Sequence, residues 1–110
     1  MNISEFHVHV YFDLESRDSA LRLRELLQKR VGDKLHYFGS LIDRPIGPHP
    51  IPMFEVNFRP EFFSDVVTFL MEHHGEHSIL IHPIMGNDLL EHTEYAMWLG
   101  RQLPLKLEIF

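Results

Sequence analysis

The chain contains no cysteine. Disulfides, zinc fingers and thiol catalysis are therefore excluded, and a bound metal would have to find imidazole and carboxylate donors. No run of 18 apolar residues occurs, so no membrane-spanning helix is expected. Lysines and arginines form no cluster and the net charge is −6, which argues against nucleic acid as a partner. Met1 to Glu5 lacks the basic and apolar regions of a signal peptide, and with the missing thiols the expectation is a cytoplasmic protein. Linkers, low-complexity segments and fixed-period repeats are also missing, so residues 1–110 are read as one domain. Hydrophobic residues at 45% and charged residues at 24% exclude a disordered chain. What is abundant is histidine: nine, against ten lysines and arginines together.

The apolar pattern alternates between periods. Phe6 to Phe12 reads as a strand, with Phe6, Val8, Val10 and Phe12 on one face and His7, His9 and Tyr11 on the other. Ser16 or Asp18 caps a helix over about residues 17–31, and Gly32 stops it. Leu35 to Ile42 and Met53 to Arg59 read as strands, separated by a loop stiffened by four prolines between Arg44 and Pro52. Pro60 opens a second helix that ends at Gly75. Ser78 to His82 is a fourth strand, closed by Pro83. Asp88 caps a third helix running through Leu89, Ala96, Met97 and Leu99 to Gly100, and Leu105, Leu107 and Ile109 alternate in a short last strand. The order βαββαβ, then helix and strand, predicts an α+β ferredoxin-like sandwich with helices on one face and the first strand between the third and fourth. A domain this small gains from a partner, so a homodimer is expected, with two sheets face to face in an α+β barrel.

Alternation then places the polar side chains. His7, His9 and Tyr11, Glu55 and Asn57, Ser78 and His82 should share the sheet face opposite the helices. Two histidines plus one carboxylate make the facial triad of non-haem Fe(II) oxygenases, and His9, His82 and Glu55 are the set this geometry suggests. The His7-Val8-His9 spacing alone also fits a solvated strand. His49, held between Pro48 and Pro50, suits a group that must be positioned, although the prolines would equally stiffen a plain surface turn. His92 reads as an acid–base group or an exposed helix residue. His73, His74 and His77 lie at a helix C-terminus, where the dipole favours them structurally. Trp98, Met97 and Phe69 read as core or dimer contacts. Arg44 and Arg59 could bind a substrate carboxylate or simply balance an acidic surface.

In order along the chain stand Phe6-His7-Val8-His9-Val10-Tyr11-Phe12, Arg44-Pro45-Ile46-Gly47-Pro48-His49-Pro50 leading into Met53-Phe54-Glu55-Val56, Ile79-Leu80-Ile81-His82-Pro83, and Glu91-His92-Thr93 before Trp98-Leu99-Gly100. As a set these resemble the DOPA 4,5-dioxygenase family over nearly the whole chain. The resemblance implies a ferredoxin-like dimer that opens a catechol such as DOPA to a muconic semialdehyde, using O₂ and a non-haem metal. Fe(II) is the expected metal, with zinc the alternative in purified protein. The positions that match the family's motifs are His9, His49, Glu55, His82 and His92, with His7 ranked below His9; Glu91-His92 stands where the family usually has Asp-His. The expected roles are metal ligands for His9, Glu55 and His82, with His49 in place of Glu55 as the rival third ligand, general base for His49 and general acid for His92. Two other classes stay open: a cofactor-free oxygenase or isomerase on the same dimeric barrel, and a non-enzymatic module that binds a small molecule or metal.

Overall fold

Val8 and Val10 are fully buried, and so are Phe54, Val56, Phe58, Ile79 and Ile81 on the neighbouring strands. These alternate residues form the core face of a sheet, and the computed structural model, which describes residues 2–110, shows what covers it. The strands are β1 (Glu5–Tyr11), β2 (Leu35–Phe38), β3 (Met53–Phe58), β4 (Ile79–Ile84) and β5 (Met97–Leu99). The helices are α1 (Arg17–Val31), α2 (Phe63–His73) and the single turn α3 (Asp88–Glu91). Leu23, Leu27 and Val31 of α1 and Val66, Val67 and Leu70 of α2 pack on the core face in one cluster. The architecture is α+β. All five strands are antiparallel in the order β2-β3-β1-β4-β5, consistent with a ferredoxin-like fold carrying an extra edge strand. No helix among the described residues is long and apolar enough to cross a membrane.

Five sequence expectations need correction, the smallest being that Asn87, not Asp88, caps the third helix. The third helix does not run to Gly100: α3 ends at Glu91, and Met97–Leu99 instead pairs with Ile79–Ile81 as β5. His92 Nδ1 and Thr93 Oγ1 each bond the carbonyl four residues back, Asp88 and Leu89, at 2.7 Å, which competes with helix propagation. The open edge of β4 then takes the segment that follows. Leu105, Leu107 and Ile109 form no strand; Leu107–Ile109 is a 3₁₀ turn. Leu103 and Leu105 pack against Tyr11, Met53 and Leu80 on the second face of the sheet, and Lys106 N–H donates to Pro48 O at 2.8 Å. β2 ends at Phe38 rather than Ile42: Gly39 N–H still donates to Glu55 O at 2.8 Å, but Ile42 meets Met53 only as an isolated bridge. Finally, β4 continues through Pro83. Tyr11 N–H donates to Ser78 O, which sets the ladder so that Pro83, opposite Phe6, turns its missing donor away from β1, beyond the reach of β5.

Candidate active site

The register puts the polar face together strand by strand. His9 lies opposite Glu55 on β3 and Leu80 on β4, and His7 lies opposite Asn57 and His82. His7, His9, Glu55 and His82 therefore share the face away from the helices, as alternation predicts. His9 Nε2 and His82 Nε2 face each other at 3.1 Å. His49 arrives from the proline-rich loop, where its N–H donates to Ile46 O at 2.7 Å, and its ring centre is 4.0 Å from that of His9. His92, just past α3, places its ring centre 4.1 Å from that of His82. Four imidazoles thus converge from two strands, one loop and the end of a helical turn.

The cluster is sheltered within a single chain. His9 and His49 are 4% exposed and His82 is 2% exposed. Burial holds these three rings neutral. His9 is pushed well below the ordinary imidazole range by desolvation and then by neighbouring histidines. Desolvation, reinforced by His92, brings His49 down to about 4. The same causes bring His82 down to about 3, partly offset by its bond to Pro83 O.

Hydrogen-bond partners assign the ring atoms. His82 Nδ1 lies 3.2 Å from Pro83 O and His92 Nδ1 lies 2.7 Å from Asp88 O. A carbonyl only accepts, so each Nδ1 carries the proton and each Nε2 presents a lone pair. Tyr11 Oη sits 2.6 Å from His49 Nδ1. Burial pushes the Tyr11 phenol far above its usual range, so it stays protonated, and its hydroxyl can donate to His49 Nδ1 or accept from it.

Carboxylates flank the cluster on both sides. Glu55 Oε1 lies 4.0 Å from His9 Nδ1, and its Oε2 lies 3.4 Å from His7 Nδ1. Glu55 therefore lies nearer His7 than His9, whose Nδ1 it does not reach within hydrogen-bond distance. His7 is also bonded to Glu5 through Nε2 at 3.1 Å. On the other side Glu91 is 2% exposed, and its Oε2 accepts from the N–H groups of Met85, Gly86 and Asn87 at 2.8, 2.9 and 3.0 Å. Two groups have donor atoms close enough to share one metal ion: His7, His9 and His82, and His82, Glu91 and His92. The donor set fits a metal, because its buried rings are neutral and His9 Nδ1 is buried with no hydrogen-bond partner.

Of the expected site residues, His9, His49, His82 and His92 come together, with Glu55 and His7 beside them. Arg44 is exposed, and no hydrogen bond or ion pair among the described residues ties it to the histidines. Sequence reasoning gave Tyr11 and Glu91 no role of their own, although Tyr11 shares the His7/His9 alternation and Glu91 adjoins His92. His77 is a satisfied structural residue, bonded to Tyr11 O and Ser19 Oγ at 2.9 Å each.

Comparison with known proteins gives the family. Residues 6–109 match the model of the Dopa 4,5-dioxygenase family. The DOPA 4,5-dioxygenase of Amanita muscaria is 35% identical over 96% of this chain, and an uncharacterized 21.2 kDa protein of Botryotinia fuckeliana is 38% identical over 94%. This chain spans 49% and 62% of the lengths of those two relatives. The crystal structure of a candidate dioxygenase from Nostoc punctiforme superposes with a TM-score of 0.90 at 44% identity, covering 96% of this chain and 90% of that one.

Proposed function

The chain belongs to the Dopa 4,5-dioxygenase family, and on that premise we propose that it is an extradiol dioxygenase. It would open the ring of a catechol such as DOPA with O₂ and a non-haem metal, expected to be Fe(II), placing both oxygen atoms in a muconic semialdehyde. The observation that carries this reading is the meeting of four imidazoles, three of them buried and held neutral, on one face of the sheet. His9 and His82 are the proposed ligands through Nε2. Glu55, expected from the sequence as the third ligand, is proposed instead as a carboxylate flanking the ligands, 3.4 Å from His7 Nδ1 and 4.0 Å from His9 Nδ1. A bound Fe(II) would supply the electron transfer between aromatic ring and O₂ that no side chain here can provide.

The protein's own groups handle the protons. His92 Nε2 presents a lone pair and is the proposed base for a catechol hydroxyl. His49 is the proposed donor to developing negative charge, with the Tyr11 hydroxyl proposed to donate at Nδ1 and so keep the ring's proton on Nε2. These two roles are the reverse of the assignment expected from the sequence, because the Asp88 carbonyl at His92 Nδ1 leaves Nε2 a lone pair, which suits a base. A homodimer remains part of the proposal, although the chain buries His9 and His82 without a partner copy.

The test is O₂ consumption by anaerobically Fe(II)-loaded protein given DOPA and simple catechols, with the visible spectrum recorded. Uptake matched by a yellow ring-opened product is the expected result. No uptake with any catechol despite bound iron would sink the dioxygenase reading. Activity that survives complete metal removal would favour the cofactor-free class, and metal or ligand binding without turnover the non-enzymatic one.

A further inference from the structure

A cavity of about 510 Å³ opens beside His92, within the size range of small-molecule sites. Trp98, Leu103 and Leu105 give it apolar walls fit for an aromatic ring, and Gln102 and Glu94 stand among the polar groups at its margin. Glu94 is its one carboxylate, and neither lysine nor arginine lines it. The cations that could take a substrate carboxylate stand elsewhere. Arg22 and Arg101 line a separate cavity of about 680 Å³ that holds none of the four clustered histidines. Arg59 lines a third, beside Asp33 and His36, and Arg44 is exposed on its loop.

We infer that the cavity beside His92 receives the substrate and selects catechols with a cationic or neutral side chain over those with a net anionic one. The inference rests on the dioxygenase reading for the word catechol, but not for the site or its charge preference. His92 joins the two, since its ring lines the cavity and lies against His82. A ring seated between Trp98 and the leucines would direct its hydroxyls toward the histidines and its side chain toward Glu94. An ammonium there gains a coulombic partner. A carboxylate meets a like charge, with no lysine or arginine lining the cavity to offset it. In a DOPA-like zwitterion the amine, not the carboxylate, would be the recognised group.

Trp98 is the only tryptophan, so its fluorescence reports on the cavity directly. The probes, used on the metal-free protein, are tyramine, 4-ethylphenol and 4-hydroxyphenylacetate: one cation, one neutral and one anion, none with the vicinal diol of a catechol. Binding needs neither turnover nor a particular metal, so the result stands apart from the O₂ measurement. Tyramine is expected to bind at least about tenfold more tightly than 4-hydroxyphenylacetate, with 4-ethylphenol between. E94Q should bring the two charged probes to within about threefold, and E94K should reverse their order. Equal binding of all three probes, tighter binding of the anion, or an unchanged order in E94K would overturn the inference. So would failure of every probe to quench Trp98 in a protein that consumes O₂ with catechols, which would leave the dioxygenase reading intact and move the substrate elsewhere.

Discussion

At the residue scale, the two nitrogens of His9 do different work. Nε2 faces His82 at 3.1 Å, and Nδ1, without a hydrogen-bond partner, lies 4.0 Å from Glu55, so if His9 and His82 hold the iron as proposed, Glu55 would flank the ligand rather than be one. His9→Ala and His82→Ala should therefore abolish stoichiometric iron after dialysis. Glu55→Gln should retain it with affinity lowered by about 10–100-fold, the usual effect of losing a carboxylate that flanks the ligands. Chelator competition measures both, and iron loss from Glu55→Gln as complete as from His9→Ala would return Glu55 to the ligand set. The sequence made the shared face of His7, His9, Glu55 and His82 legible, because period-two alternation needs no knowledge of rotamers. It could not show which ring nitrogen points where. For the same reason Tyr11 and Glu91 went without roles: each acts through one hydrogen bond or one oxygen, and only coordinates place these.

At the element scale, the segment after β4 shows how a local pattern is overridden. Ala96, Met97 and Leu99 fit a helical stripe on paper, but a window that short is ambiguous, and the edge of β4 recruits it as a strand. The longer elements, α1 and α2 with their wide apolar stripes, came through the sequence reading nearly intact. The turn between β4 and α3 is held differently, by a side chain. Glu91 Oε2 takes three successive backbone N–H groups, and Asn87 Oδ1 caps α3 through Leu90 N–H at 3.0 Å. Glu91→Ala would leave those three donors short of a partner, at about 1–3 kcal/mol for each one that water cannot reach. We expect a loss of about 3–5 kcal/mol in denaturant unfolding of the metal-free protein. Because His92 follows directly, the ring that faces His82 should shift as well. A stability within about 0.5 kcal/mol of the parent, the range of an ordinary surface change, would show that the carboxylate does not organise the turn.

At the scale of the whole molecule, the sheet's second face is closed by its own chain. The proline-rich loop and the tail from Trp98 to Leu105 cover Tyr11, Met53 and Leu80, and the adjoining histidines are buried with them. That burial has a consequence for the metal-free protein in acid. In the unfolded chain these imidazoles titrate near 6.5, whereas in the fold His49 titrates near 4, His82 near 3 and His9 well below its ordinary value. Between those limits the unfolded chain binds more protons than the native one, so stability falls as pH falls. The contribution is complete above about pH 6.5 and is lost progressively on the way down. The slope is up to about 1.4 kcal/mol per pH unit for each ring that titrates only when unfolded. Thermal melts of the metal-free protein from pH 8 to pH 4 should therefore be flat at first and drop below 6.5. His82→Gln should shallow that drop, since it removes one of the rings. Because a single chain supplies the shelter, the acid-sensitive range should not move with protein concentration. A range that shifts upward on dilution would mean that a second copy, and not the tail, keeps these histidines from water.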